Sequence, residues 1–166
     1  MGQKSPQPAN NFAMKMLLAQ SKLHLGIVRD LFVEYANSIE TDLCFQNFKQ
    51  ELDGLPGNYA PPEGRLWLAV EAEEYAGCVG LRKSEEGICE MKRLYVRPAF
   101  RGQGLGRLLA QSVIETAHEI GYLSMRLDTL PSMKQAIALY ESMGFLRIAP
   151  YYHNPQAGAI YMERRL

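Results

Sequence analysis

A glycine-rich loop between a predicted strand and a predicted helix is the segment whose residue types point most directly to chemistry. It contains the pattern R-x-x-G-x-G, formed by Arg101, Gly104 and Gly106, with a further glycine at position 102. Glycine leaves the backbone N–H groups of such a loop unobstructed, because no Cβ blocks the approach of phosphate oxygens. These N–H groups and the positive end of the following helix converge on one point. The loop therefore predicts a binding site for a pyrophosphate.

Two other phosphate-binding loops are excluded by the residues around these glycines. The P-loop requires Lys and Ser/Thr after its last glycine, whereas Arg107 and Leu108 follow Gly106. The dinucleotide pattern G-x-G-x-x-G fails because neither Gly102 nor Gly104 begins a complete set of three glycines. The surrounding charge favours a polyanionic ligand, since residues 92–107 include five bases and no acid.

Composition restricts the class of protein. A chain of 166 residues with 47% hydrophobic and 22% charged residues is typical of one soluble globular domain. The net charge of zero argues against a nucleic-acid-binding protein, and no apolar run is long enough for a membrane span. None of the three cysteines is spaced as a metal pair, so we expect no metal and a reducing, cytoplasmic location. Residues 1–13 are predicted to be a disordered lead-in, and residues 14–166 a single domain.

The apolar periodicity predicts the elements that must position the loop. Helices are predicted after Ser21, around residues 46–52, from the glycine loop to Gly121, and after Ser132. Strands are predicted over residues 14–19, 65–72, 75–82, 88–96, 122–128, 145–149 and 159–163. The order β-α-α-β-β-β-α-β-α-β-β predicts an α/β fold with a mixed, mostly antiparallel sheet flanked by helices.

Three features together resemble the GNAT superfamily of N-acetyltransferases. They are the glycine loop, the block Leu-Tyr-x-x-x-Gly-Phe at residues 139–145, and the order of the elements. The resemblance covers nearly the whole of residues 14–166. It implies that an amine attacks the thioester of acetyl-coenzyme A directly in a ternary complex, with no acyl-enzyme and no metal.

The resemblance also implies which residues hold acetyl-coenzyme A. Backbone N–H groups of residues 102–107 would bind the pyrophosphate, and the strand before the loop would pair with the pantetheine arm. The N–H of Leu94 would face the thioester oxygen. Met133 stands where many members carry an asparagine that contacts the pantetheine. The predicted set is Leu94, Tyr95, Val96, Arg101, Gly102, Gln103, Gly104, Leu105, Gly106, Arg107 and Met133.

Two catalytic residues follow from the same resemblance. Tyr140 matches the tyrosine that acts as general acid beside the coenzyme sulfur in many members; otherwise it is a core residue of an apolar helix stripe. Glu90 matches the glutamate that acts as general base in one branch of the superfamily. The alternative for Glu90 is a strand residue in a salt bridge beside Lys92 or Arg82.

The acceptor pocket of the superfamily corresponds to residues 35–64 and 150–158. The candidates there are Tyr35, Phe45, Tyr59, Tyr152 and His153. Residues 1–90 carry 13 acids and 8 bases, and acids with aromatic rings suit a small cationic amine or an amino-acid-like acceptor. The alternatives are a non-catalytic acyl-coenzyme A-binding regulatory domain and an enzyme that acetylates protein lysines or N-termini. Exposed sheet edges in this fold are also compatible with a homodimer.

Overall fold

The computed structural model describes residues 14–39, 43 and 47–166, and one seven-stranded sheet organises them. The strand order is β1-β2-β3-β4-β5-β7-β6, and every neighbouring pair is antiparallel except β4 with β5. The strands are β1 (Lys15–Leu18), β2 (Arg65–Glu71), β3 (Glu74–Glu85), β4 (Ile88–Val96), β5 (Ser124–Thr129), β6 (Leu146–Ile148) and β7 (Ile160–Arg165). The predicted fold class and element order are confirmed, whereas the predicted lead-in lies outside the described residues.

Four helices flank the sheet in the described part of the chain. They are α1 (Lys22–Ser38), α2 (Phe48–Asp53), α3 (Leu105–Ile120) and α4 (Lys134–Ser142). The Ser21 side chain caps α1 by accepting a hydrogen bond from the His24 N–H at 3.1 Å, as predicted. α4 differs from the prediction, because its N-cap is Met133 rather than Ser132 and makes no side-chain capping bond. None of the described helices is long and apolar enough to cross a membrane.

Two apolar cores lie on the two faces of the sheet. α3 packs on one face through Leu109 and Val113, and Tyr140 and Phe145 belong to the same core. α1 packs on the other face through Leu31 and Phe32. A hydrogen bond from Trp67 Nε1 in β2 to Thr116 Oγ1 in α3, at 3.1 Å, joins the sheet to the first core. The sheet is therefore covered on both sides, and its central strands are buried.

Close packing of β3 against β4 and α3 depends on Gly77. A Cβ at this position would collide with the Tyr95 carbonyl oxygen and lie 3.2 Å from Leu109 Cδ1. We expect Gly77→Ala to lower the free energy of unfolding by about 1–3 kcal/mol, because the backbone of β4 cannot easily move away. Urea denaturation measures the change. Gly26→Ala is the control, since no atom lies within 4 Å of its added methyl group and alanine favours the helix by about 0.5–1 kcal/mol. Equal effects of the two substitutions would contradict the packing argument.

Candidate active site

The centre of the sheet opens where β4 and β5 separate. The two strands pair only from Ile88–Ser124 to Glu90–Arg126. Beyond these pairs β4 continues to Val96 and β5 to Thr129, with no further pairing between them in the described structure. A wedge therefore forms in the middle of the sheet, and the β5-facing backbone of β4 has no neighbouring strand there.

A bulge in β4 changes which side chains face the wedge. Lys92 pairs with Gly80 and Tyr95 with Cys78, so Arg93 and Leu94 together oppose the single residue Val79. Arg93 adopts a left-handed backbone conformation with φ 59°, which is uncommon for a residue other than glycine. Before the bulge Met91 packs in the α3 core, and after it Leu94 packs against that core. The extra residue thus directs both Lys92 and Arg93 to the α1 side of the sheet.

A cleft of ≈ 710 Å³ lies between the glycine loop, β4 and the beginning of α4. Gly102 and Gly104 have φ values of 80° and 83°, and a Cβ added at either would meet no atom within 4 Å. The first turn of α3 contains no acidic residue, so its free N–H groups face the loop without a competing negative charge. Most of the residues predicted to bind acetyl-coenzyme A line this cleft: Leu94, Tyr95, Val96, Arg101, Gly102, Gly104, Leu105, Gly106 and Met133.

Three polar side chains of the glycine loop make contacts within the protein. The Arg101 guanidinium donates from Nε to the Val96 carbonyl at 2.9 Å and lies 5.9 Å from the Tyr95 ring centroid. Arg107 donates to Ser142 Oγ at 2.6 Å, and Gln103, with its amide nitrogen turned toward β2, donates to Glu71 Oε2 at 2.9 Å. The side chains of Gln103 and Arg107 are therefore directed away from the cleft wall, and only their backbone groups share in the loop.

A narrower pocket of ≈ 40 Å³ adjoins the cleft and reaches into the wedge. The cleft and the pocket share four residues on their walls: Tyr35, Ile39, Leu94 and Met133. Tyr140 lines the pocket with only 6% of its surface exposed, and its ring packs edge-on against Phe145 at 5.8 Å. Burial raises the pKa of the Tyr140 hydroxyl well above its usual value, so the phenol stays protonated at neutral pH.

A buried ion pair forms the far wall of the pocket. Lys92 Nζ lies 3.2 Å from Asp128 Oδ1, and the side chains are 5% and 10% exposed. Burial lowers the pKa of Lys92, and the neighbouring carboxylate only partly offsets this. Burial alone would raise the pKa of Asp128, but the Lys92 charge and a hydrogen bond from Tyr152 outweigh it, so that pKa is lowered. Asp128 therefore carries its negative charge beside the pocket.

A sequence model of the acetyltransferase (GNAT) family matches residues 26–145. The chain belongs to this family. An uncharacterised N-acetyltransferase of Schizosaccharomyces pombe is 44% identical over 135 residues, which are 80% of this chain and 83% of the relative. The uncharacterised N-acetyltransferase YjgM of Escherichia coli is 32% identical over 144 residues, 85% of each chain. The fold is shared with PaiA N-acetyltransferase of Thermoplasma acidophilum in complex with coenzyme A, at a TM-score of 0.70 and 14% identity over 93% of this chain and 99% of that one.

In this GNAT enzyme the predicted base Glu90 lies outside the walls of both the cleft and the pocket. It is 5% exposed, and both of its carboxylate oxygens accept hydrogen bonds. Arg82 Nε donates to Oε1 at 3.1 Å, and Tyr151 Oη donates to Oε2 at 2.8 Å. These contacts correspond to the alternative of a salt-bridged strand residue beside Arg82. A role as general base stays a prediction.

The predicted acceptor residues lie in different places in the enzyme. Tyr35 lines both the pocket and the cleft, and Tyr152 donates to Asp128 Oδ2 at 2.5 Å. Tyr59 is instead buried beside a separate cavity of ≈ 370 Å³ between α2 and β3. His153 is exposed and lines neither the pocket nor the cleft, and Phe45 lies outside the described residues.

Neither Lys92 nor Asp128, which both line the GNAT pocket, is among the site residues predicted from the sequence. Lys92 lies two residues after Glu90 in an apolar strand, so the alternation of the strand was a signal that both share one face. Its pairing with Asp128 joins two strands and had no signal in the sequence. No group of three His, Cys, Asp or Glu side chains suited to a metal ion occurs among the described residues.

The lowered pKa of Asp128 predicts a loss of stability in acid. Because the unfolded chain binds this proton at a higher pH than the folded enzyme does, the stabilisation is complete above about pH 4 and is lost as the pH falls. Asp128→Asn removes this titration, so we expect a shallower decline of the urea midpoint below about pH 4. At neutral pH the variant removes a negative charge from beside the buried Lys92 ammonium, and we expect a loss of about 3–5 kcal/mol.

Asp53→Asn is the control for this titration. Asp53 forms an ion pair with Lys49 at 3.1 Å, but its side chain is 66% exposed, so its removal should change stability by less than about 0.5 kcal/mol. A variant at Asp128 with the acid slope of the wild type would contradict the assignment.

Proposed function

We propose that the enzyme transfers an acetyl group from acetyl-coenzyme A to a primary amine by direct attack in a ternary complex. One observation carries the proposal: the cleft behind the glycine loop and the pocket in the wedge adjoin at Leu94 and Met133. A donor in the cleft and an acceptor in the pocket would meet beside Tyr140. No residue of the described chain needs to carry the acetyl group between them.

The residues around the cleft fit coenzyme A. The open space in front of Gly102 and Gly104 and the N-terminal N–H groups of α3 suit a pyrophosphate. Arg101, at the rim, adds a positive charge. The unpaired side of β4 at Leu94 and Val96 offers backbone groups to the amides of a pantetheine arm. When bound, acetyl-coenzyme A supplies an acetyl thioester that an amine can attack.

Tyr140 is the proposed general acid. The nitrogen–carbon bond forms as the carbon–sulfur bond breaks, and the departing sulfur needs a hydrogen-bond donor and then a proton. The buried phenol stays protonated at neutral pH and lines the pocket that adjoins the cleft. Glu90 has less support as the base, because Arg82 and Tyr151 already occupy both carboxylate oxygens.

The pocket favours an acceptor with a slender amine end. Its volume of ≈ 40 Å³ accommodates about three water-sized groups, which suits the narrow end of an amine. The Tyr35 ring on its wall suits an ammonium group that loses a proton before attack. We therefore propose a small cationic or amino-acid-like amine as the acceptor. A lysine side chain has the same slender end, and a thiol-release assay with free amines against lysine peptides separates the two.

Loss of the glycine loop's anion site should abolish binding of acetyl-coenzyme A. The double variant Arg101→Glu, Gly104→Val reverses a rim charge and puts a branched side chain at φ 83°, where it is strained. Calorimetric titration should give micromolar binding to the wild type and no binding to the variant. Arg147→Glu, an exposed charge reversal on β6, is the control and should bind as the wild type does. Absence of binding to the wild type at millimolar ligand would reject the donor site.

Removal of the Tyr140 hydroxyl should slow turnover without weakening donor binding. We expect Tyr140→Phe to lower kcat by about 10²-fold, because a positioned general acid contributes about that factor or more. The dissociation constant of acetyl-coenzyme A should stay unchanged. Tyr122→Phe is the matched control, since the Tyr122 hydroxyl donates to the Glu63 carbonyl at 2.7 Å, away from both the cleft and the pocket. Unchanged turnover of Tyr140→Phe would return Tyr140 to the alternative of a core residue.

A further inference from the structure

The loop between β6 and β7, residues 149–159, is attached to the sheet by tyrosine hydroxyl groups. Tyr151 Oη donates to Glu90 Oε2 at 2.8 Å, and Tyr152 Oη donates to Asp128 Oδ2. Glu90 lies on β4 and Asp128 on β5, so the two carboxylates belong to the two strands that separate. The β6–β7 loop is therefore bonded to both sides of the wedge.

Ring packing and a third hydroxyl hold the same loop. The rings of Tyr151, Tyr152 and Tyr161 pack edge-on with centroids 5.2–5.5 Å apart. Tyr161, on β7, donates to the Tyr152 carbonyl at 3.0 Å. The Arg126 guanidinium lies 5.1 Å from the Tyr151 ring centroid, and the ring face attracts its positive charge. Burial raises the pKa of Tyr151, so its hydroxyl remains a donor to the Glu90 carboxylate.

The β6–β7 loop also supplies part of the pocket wall. Asn154 and Gln156 line the pocket, and the Gln156 N–H donates to Asn154 Oδ1 at 2.9 Å. Displacement of the loop would remove these two walls and open the wedge to water on the α1 side. The hydrogen bonds of Tyr151 and Tyr152 thus hold in place a loop that covers the pocket. Tyr151 itself is not on the pocket wall.

We propose that Glu90 and Tyr151 are positioning residues that hold the β6–β7 loop over the wedge and exclude water from the thioester. This rests on the proposed use of acetyl-coenzyme A. Both Glu90 oxygens serve the attachment, one by accepting from Tyr151 and the other by pairing with Arg82. The arrangement explains why an acid is buried in the central strand without facing the pocket.

The test uses acetyl-coenzyme A hydrolysis, with water as the nucleophile, because it needs no identified acceptor. The oxygen of water bonds to the acetyl carbon and the carbon–sulfur bond breaks, giving acetate, a proton and the free thiol. We expect Tyr151→Phe to raise the hydrolysis rate about fivefold, since loss of one hydrogen bond increases the population of the displaced loop by about that factor. Hydrogen exchange in residues 149–159 should accelerate, while affinity for acetyl-coenzyme A stays unchanged.

Glu90→Ala separates the positioning role from a role as base. If Glu90 holds the loop, this variant raises hydrolysis as Tyr151→Phe does. If Glu90 is the base that activates the nucleophile, the variant lowers hydrolysis, and the proposal is overturned. Unchanged hydrolysis and unchanged hydrogen exchange in Tyr151→Phe would also overturn it. Tyr122→Phe should leave both unchanged. A wild-type protein that does not bind acetyl-coenzyme A would instead reject the proposed function.

Discussion

The separation of β4 from β5 is the constraint on which the rest of the structure depends. A buried strand needs partners for its backbone groups, and β4 loses its β5 partner after Glu90 while still in the middle of the sheet. Those open N–H and C=O groups need hydrogen-bond partners, which water or a polar ligand in the gap can supply. The glycine loop lies at one end of this gap and the β6–β7 loop covers its other side, so both loops are arranged around the same unpaired edge.

The bulge at Arg93 brings buried charged residues of β4 together on one face of the sheet. Three charged residues of β4, Glu90, Lys92 and Arg93, lie on the α1 side and are each 5% exposed. Arg93 donates to both Glu51 oxygens, at 3.0 and 3.3 Å, while Lys92 pairs with Asp128 and Glu90 with Arg82. Each buried charge thus has an opposite charge within hydrogen-bonding distance, as burial requires. The α1 face of the central strand is consequently polar and charge-balanced, while the α3 face is apolar.

Local sequence patterns predicted the fold. The surroundings of individual site residues depend on contacts between distant segments, which those patterns do not contain. The alternation of apolar residues gave the seven strands, and the glycine loop and the residues 139–145 block were placed on the correct elements. The sequence contains no signal for the left-handed Arg93, since nothing distinguishes it from other strand residues. The environment of Glu90 depends on Tyr151, 61 residues later, which no local pattern can bring to β4. Tyr59 was assigned to the acceptor side by its position in the chain, but its ring lies over Gly80 beside another cavity.

Trp67 gives the molecule a built-in optical probe. It is the one tryptophan of the chain, and its indole N–H is bonded to Thr116 of the helix whose first turn follows the glycine loop. The ring packs against the core between the sheet and that helix. Its emission wavelength and intensity therefore register shifts of α3 relative to the sheet, without a label and without interference from a second indole. Such a signal can be followed on a millisecond timescale after a ligand is mixed with the protein.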